Sequence, residues 1–571
     1  MARPRFLFVL LMLAVAGGAL AFRLPRLDQR PMHCDEANQA VRAGLLLETG
    51  EYHYDPWDGH GPSLYWLTLP VLWLGGATDL AQITELECRL VPVLFGVGLI
   101  ALLVLVSDGL GRGPTLIAAL LLAISPAFVF YSRYYIQEML LVFFTFGAIG
   151  CAWRYMQGRR LGWALATGAC FGMMFATKET WILAAFAMVA SLALTLVWNR
   201  WTNGQAGEVL SYLRPVPILA AFVAGCLAAL VLFSSFGRDW QGVKDSVAAY
   251  QTYLHRGSGG GDHDQPWNYY LNVLSSYLPQ RALKWTTWPM IGVTVVCWLA
   301  AVVPLLFKPR ASTSLLNLHE GESGSAEPGL AGSSQAEGGE GQTPHRGLVC
   351  FLAGYTVVLT AVYSAIPYKT PWCLLSLLHG MILLAAVGAW NIVRGPRRLA
   401  RSRLGLPLYR VLTCLLLLAA AGRMGWECYL LNFKHFVSER NPYVYVHTSM
   451  TLPGLAPMME RLAEVSPDGH DMAIQVVGPE IWPLPWYLRK FRLDRRWDDC
   501  WWRDTDEWAA DKAWSRRPAV VLFDPDMKEE IDRRLGDGYR QQMSYNLRPK
   551  RVLVFYVRDD LWEAFDRSQG H

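Results

Sequence analysis

About eleven runs of apolar residues, each close to the length that crosses a bilayer, constrain this chain more than any other feature. They extend from Phe6 to Phe22, Leu90 to Val106, Pro114 to Phe130, Met139 to Trp153, Leu161 to Ala176 and Trp181 to Trp198. Further runs cover Ile218 to Phe236, Trp288 to Phe307, Leu348 to Ile366, Cys373 to Val393 and Leu406 to Ala421. With 53% hydrophobic and only 17% charged residues, most of the chain belongs in lipid. The first run follows Arg3 and Arg5 but ends without a small-x-small cleavage site, so it reads as an uncleaved first helix. Leu64 to Leu74 is too short to span and contains Pro70, so it reads as an interfacial helix.

The arginines between the runs set an expected topology. With the N-terminus cytoplasmic, Arg112, then Arg154, Arg159 and Arg160, then Arg200 and Arg214 all fall inside. So does the cluster Arg394, Arg397, Arg398, Arg401 and Arg403. A net charge of only +5, placed in short loops, argues against a nucleic-acid partner. The eleven cysteines lack CxxC spacing and indicate neither a metal knuckle nor a disulfide framework.

The sequence therefore divides into a membrane module, 1–425, and a soluble part, 426–571. Within the module, 23–89 is the first outer loop, and 312–343, rich in Gly, Ser and Glu, cannot bury a core and reads as a disordered cytoplasmic linker. After Gly425 the runs Ala473 to Val477, Val520 to Phe523 and Val552 to Val557 have strand character. The expected fold class is a polytopic α-helical membrane protein with a C-terminal extracytoplasmic α/β domain. The localisation this implies is the plasma (inner) membrane, multi-pass.

Drawn on this topology, ionisable residues outside the arginine clusters converge on the outer face: Asp35 and Glu36, His53, Asp58 and His60 in the first loop, and Arg133, Glu138, Lys178, Glu179 and Lys369 in later turns. Ionisable groups at helix mouths are costly to desolvate and mark functional candidates. Transfer of a sugar from a polyprenyl phosphate needs a carboxylate to take the acceptor's proton and cations to hold the departing phosphate, through an oxocarbenium-like state. Both residue types are present. The bland readings are solvated loop acids at Asp35 and Glu36, helix-end ion pairs at Arg133, Glu138, Lys178 and Glu179, and a snorkelling Lys369.

The acidic pair in His33-Cys34-Asp35-Glu36, shortly after the first helix, resembles the GT-C membrane glycosyltransferases. These include the protein O-mannosyltransferases and the lipid A aminoarabinose transferases. Tyr131-Ser132-Arg133-Tyr134-Tyr135-Ile136-Gln137-Glu138 and Ala176-Thr177-Lys178-Glu179-Thr180 look like the second and third outer-turn signatures of that clan. Pro367-Tyr368-Lys369-Thr370-Pro371-Trp372 is similar to a turn in the bacterial and archaeal subfamily labelled flippase-activity-associated proteins.

The resemblance covers about the first 430 residues. It implies Asp35 as base with Glu36 in support, and Arg133, Lys178 and Lys369 as ligands of the donor phosphate. His60, Asp58, Glu138, Glu179 and Tyr368 are candidates for substrate or metal contact. The implied activity is inverting transfer of a sugar from polyprenyl phosphate to a protein, lipid or glycan acceptor on the outer face. No cofactor is required by this reading, and a divalent cation is compatible with Asp58, His60 and Glu138. The alternative is a flippase or flippase-associated factor. In the soluble part, Trp482, Trp486 and Tyr487 form an aromatic cluster better read as core or interface than as a sugar platform.

Overall fold

Apolar runs of this length close their backbone hydrogen bonds internally, and each of the eleven is helical in the computed structural model. The structure describes residues 3–57, 59–203, 214–260, 263–275, 288–306, 344–395, 404–478, 481–491 and 517–570. The sequence expectation for 312–343 and for Arg397, Arg398, Arg401 and Arg403 lies outside these residues.

Among the described residues, eight helices are long and apolar enough to cross a membrane, from Arg5–Arg23 to Gly405–Lys434. The expected run Pro114 to Phe130 divides at Ser125, because Pro126 cannot donate the next hydrogen bond. The helices Arg112–Ile124 and Pro126–Ser132 meet at 59° and would make a ninth span. Leu161–Phe175 and Gly292–Leu305 are the shorter apolar helices of the bundle. At about 1.5 Å per residue the first falls short of a hydrocarbon layer of ~30 Å, whereas the second belongs to a helix of 19 residues, Trp288–Leu306, which nearly matches it. Leu161–Phe175 packs closely on Pro215–Phe233. A Cβ on Gly168 would stand 1.8 Å from the Ala221 carbonyl oxygen, and one on Gly172 would stand 2.2 Å from that of Gly225. Small residues at this spacing let membrane helices approach backbone to backbone.

One end of the bundle carries the turns at 133–138, 176–180 and 366–372, together with the first-loop helices Cys34–Thr49 and Ser63–Gly75. Ser63–Gly75 is 13 residues long and leaves Trp73 and Leu74 exposed, as suits a helix lying at an apolar boundary. The other end gathers Arg154 on Asp108 (2.6 Å) and the His345 amide on the Gly109 carbonyl (2.6 Å).

The C-terminal sheet caps the first of these ends. Its strands β1 (Ile474–Val477), β2 (Val520–Phe523), β3 (Tyr539–Arg548) and β4 (Arg551–Arg558) lie in the order β1-β2-β4-β3. β1 and β2 are parallel, while β4 pairs antiparallel with both neighbours, Val520 opposite Val557. The sequence reading found three of the four. β3 is an edge strand, mostly polar, with register shifts at Gln541/Met543 and Asn546/Arg548, so it lacks the apolar alternation that reveals a strand. Leu455, Met459, Leu462 and Phe565 on one side of the sheet share an apolar cluster with Ala37, Leu46 and Leu64 of the first loop. The sheet and the first loop are thus buried against each other.

Candidate active site

The acidic pair lies in the first turn of the helix Cys34–Thr49, capped by His33. Its ring accepts the Asp35 amide (3.1 Å), and the Glu36 carboxylate accepts the His33 amide (3.1 Å), closing a capping box. Successive residues of a helix diverge by about 100°, so the two carboxylates face different surroundings.

Glu36 turns inward. Arg89 grips it with two bonds of 2.8 Å, the Tyr135 amide adds a third at 2.9 Å, and Arg30 stands 3.6 Å away. Burial pushes the carboxyl up, but the Arg89 and Arg30 charges outweigh it and draw it down to about 2. Glu36 is therefore an anchor of the first loop and does not line the cavity beside Asp35.

That cavity has a volume of about 860 Å³ and is lined by Asp35, His60, Glu138, Lys178, Glu179 and Tyr368. Six of the residues singled out from sequence thus meet at one place. Lys178 is buried and paired with Glu138 across the cavity floor. Burial lowers its proton affinity, but Glu138 more than offsets this and holds the ammonium above its ordinary range. On another wall His60 Nδ1 lies 3.0 Å from Glu179 and 2.8 Å from the Tyr253 hydroxyl, while Tyr54 donates to Glu179 at 2.7 Å. Burial works to raise the Glu179 carboxyl, and His60 with Tyr54 draws it below its ordinary range.

The two turns forming this wall are stitched by the Ser63 amide on the Ala176 carbonyl (2.8 Å) and by Ser63 on Thr177 (2.7 Å). Only glycine fits at 61, where a Cβ would stand 2.3 Å from the Ala176 carbonyl oxygen.

Two expected phosphate ligands sit elsewhere. Arg133 donates to the carbonyls of Arg23 and Pro25 (both 2.7 Å) and of Arg26 (3.1 Å), with its guanidinium 4.6 Å from the Phe433 ring centre. It ties off the end of the first helix. Lys369 donates to the Gln265 carbonyl (3.0 Å) and to the Ile366 carbonyl, and burial pushes its ammonium below the ordinary range. It closes its own turn onto the segment His263–Gln265, where the Lys369 amide also meets the His263 carbonyl at 3.1 Å. Asp58 lies outside the described residues.

Sequence reasoning did not single out Arg30, Arg89 or Tyr253. Arg89 lies buried in a helix long enough to cross the membrane, and a charge in such a place was itself the available signal.

Among the described residues, His33, Cys34 and Asp35 bring three donor types within 4.8 Å of one another. They do not fit a metal ion as they stand. Both His33 nitrogens are engaged, Nδ1 by the Asp35 amide and Nε2 by the Tyr445 carbonyl (2.9 Å), and burial holds the Cys34 thiol protonated. Nor does Glu138 stand ready beside His60, since Lys178 occupies it.

Residues 60–235 match the family described as dolichyl-phosphate-mannose-protein mannosyltransferase. No curated protein matches the sequence. Among solved structures, apo ArnT from Cupriavidus metallidurans is similar at 15% identity and a TM-score of 0.60, over 98% of this chain and 99% of that one. The same protein bound to undecaprenyl phosphate gives 16% and 0.59 over 96% and 97%. AglB from Archaeoglobus fulgidus, an archaeal oligosaccharyltransferase in complex with an inhibitory peptide and a dolichol-phosphate, gives 11% and 0.56 over 92% and 70%. At these identities the likeness is one of fold. It extends past the first 430 residues to the sheet, so the whole of this multi-span membrane chain shares the fold of those structures.

Proposed function

We propose that this chain is a membrane glycosyltransferase that moves a sugar from a polyprenyl-phosphate donor to an acceptor at the capped end of the bundle. The observation that carries the reading is the presence of Asp35 and Lys178 in one cavity that is also lined by Ile182 and Leu254, both exposed apolar side chains. Such a cavity offers a charged end for a head group and an apolar edge for a lipid chain. The solved relatives of the same fold hold undecaprenyl phosphate and dolichol-phosphate.

In this reading the acceptor hydroxyl attacks the anomeric carbon, with inversion, as the bond from that carbon to the phosphate oxygen breaks. The Asp35 carboxylate takes the hydroxyl proton. Lys178 has three N–H donors, and those not spent on Glu138 are available to the phosphate as it gains charge. His60, Glu179 and Tyr368 line the space left for sugar and acceptor. The sugar is a hexose or pentose, and the acceptor a protein, lipid or glycan. The sheet lies outside the cytoplasm of the inner membrane, since Arg112, Arg154, Arg159 and Arg160 occupy the opposite end. A flippase is less well supported, because its ionisable groups should sit near the bilayer midplane.

The test is Asp35→Asn, which keeps the shape and removes the proton acceptor. Transfer from polyprenyl-phosphate sugar should fall about 10²-fold or more, with donor affinity retained. Near-normal turnover removes Asp35 from the mechanism.

A further inference from the structure

The turn that presents Asp35 is held from the C-terminal side of the molecule. Residues 24–33 form no regular helix or strand, so the approach to the helix Cys34–Thr49 is fixed by side-chain contacts, those of Arg89 from within the first loop and others from the C-terminal region. Both backbone groups of Met32 are taken by side chains more than 400 positions away. Its amide donates to the Tyr487 hydroxyl at 3.0 Å, and its carbonyl accepts from the Thr448 hydroxyl at 2.6 Å.

The next residue is engaged through its ring. His33 Nε2 lies 2.9 Å from the Tyr445 carbonyl, which can only accept, so Nε2 carries the proton. Nδ1 is then bare and accepts the Asp35 amide, which can only donate. Burial, which pushes the ring below its ordinary range, favours this neutral form. Alongside, Trp486 Nε1 donates to Glu85 (2.7 Å), and Arg489, stacked 3.9 Å over Trp486, donates to the Ile83 carbonyl (3.0 Å). The Leu484–Tyr487 helix is thereby seated against the first loop.

We propose that the C-terminal region is a positioning device for Asp35, with Thr448 and Tyr487 as positioning residues that fix the Met32 peptide, and with it the His33 cap and the carboxylate. This inference rests on the reading of Asp35 as base. A base misplaced by about 1 Å can cost roughly 10²-fold in rate while binding of the remote donor survives.

The experiment uses the full chain in lipid. Thr448→Val and Tyr487→Phe each remove one hydroxyl and keep the shape, and each is made in the parent and in the Asp35→Asn background. Turnover, affinity for polyprenyl phosphate and melting temperature are read for each. The expected result is a loss of turnover of about tenfold with affinity within about twofold of the parent, and no further loss when Asp35 is already Asn. Thr448→Ser, which restores the hydroxyl, should recover turnover. Unchanged turnover, a loss that tracks affinity or melting, or an equal loss in both backgrounds would each overturn the proposal. A fully active Asp35→Asn chain is a different failure, because it removes the base assignment itself.

Discussion

The Glu36 carboxylate and the Arg89 guanidinium meet through two bonds of 2.8 Å, with neither side chain exposed to solvent. Arg89 also donates to the carbonyls of Arg30 (2.8 Å) and Pro31 (3.3 Å), so this pair fixes the path of the first loop as it approaches His33. A buried pair is costly to assemble and more costly to break, because the survivor is left charged and unpartnered.

Glu36→Gln should therefore destabilise the folded chain by about 3 to 5 kcal/mol, read as a lower melting temperature in detergent. The pair also carries a pH signature. The folded Glu36 carboxyl lies near 2, below its ordinary 4.5, so its contribution is complete above about 4.5 and fades as pH falls toward 2. The melting difference between parent and variant should be constant from about pH 6.5 to 5.5, ~1 to 2 units above that value, and shrink below it. A difference independent of pH down to acid unfolding would contradict the assignment.

The lysines provide a second contrast. Lys178 lines the cavity, whereas Lys369 spends its donors on the carbonyls of its own turn. Lys178→Met alone leaves Glu138 buried and unpaired, so the informative variant is the double change Lys178→Met with Glu138→Gln. It should bind polyprenyl phosphate about ten- to a hundredfold more weakly, as the loss of a charge-assisted contact of ~1.5 to 3 kcal/mol implies. Lys369→Met should lower the melting temperature and leave that affinity within about twofold. The reverse pattern would return Lys369 to the donor site.

How far the sequence led is clear from these residues. The helices were legible because apolarity is a local property, and Asp35 and Lys178 because charged groups at helix mouths are rare. What a motif does not encode is direction. Asp35 and Glu36 are neighbours in sequence, yet a rotation of about 100° sends one to the cavity and the other to Arg89. Arg133 was aimed at a phosphate by analogy, whereas three backbone carbonyls at the end of the first helix claim it. The grip of Thr448 and Tyr487 on Met32 links positions too far apart for any local pattern to reveal.

Gly61 offers a test of how the cavity wall is built. A methyl group there must displace the Ala176 carbonyl, 2.3 Å from the new carbon, or the Thr177 amide nitrogen at 2.8 Å. Either shift separates the turn bearing His60 from the turn bearing Glu179. Gly61→Ala should cost about 1 to 3 kcal/mol of stability, as overpacking does, and lower turnover together with acceptor affinity. A variant with parental melting and turnover would show that this wall relaxes freely and that the His60–Glu179 contact is not needed.

The orientation of the bundle is the remaining prediction, and the proposed chemistry depends on it. The cavity and the sheet share one end, while Arg154 with Asp108, and the His345 amide with the Gly109 carbonyl, mark the other. Lys and Arg in short loops are retained on the cytoplasmic side during insertion, so the end carrying Arg112, Arg154, Arg159, Arg160 and Arg200 should be inside. A reporter active only outside the cytoplasm, fused after the last helix of the sheet region (Asp559–Ser568), should therefore be active. The same reporter inserted between Gly158 and Leu161 should be silent. Moving positive charge to the capped end, by Asn→Lys changes at exposed loop positions, should reduce the yield of correctly inserted protein without altering the turnover of what remains. If the reporter after Ser568 were silent and the one at 159–160 active, the cavity would open to the cytoplasm, and the donor would have to be reached from that leaflet.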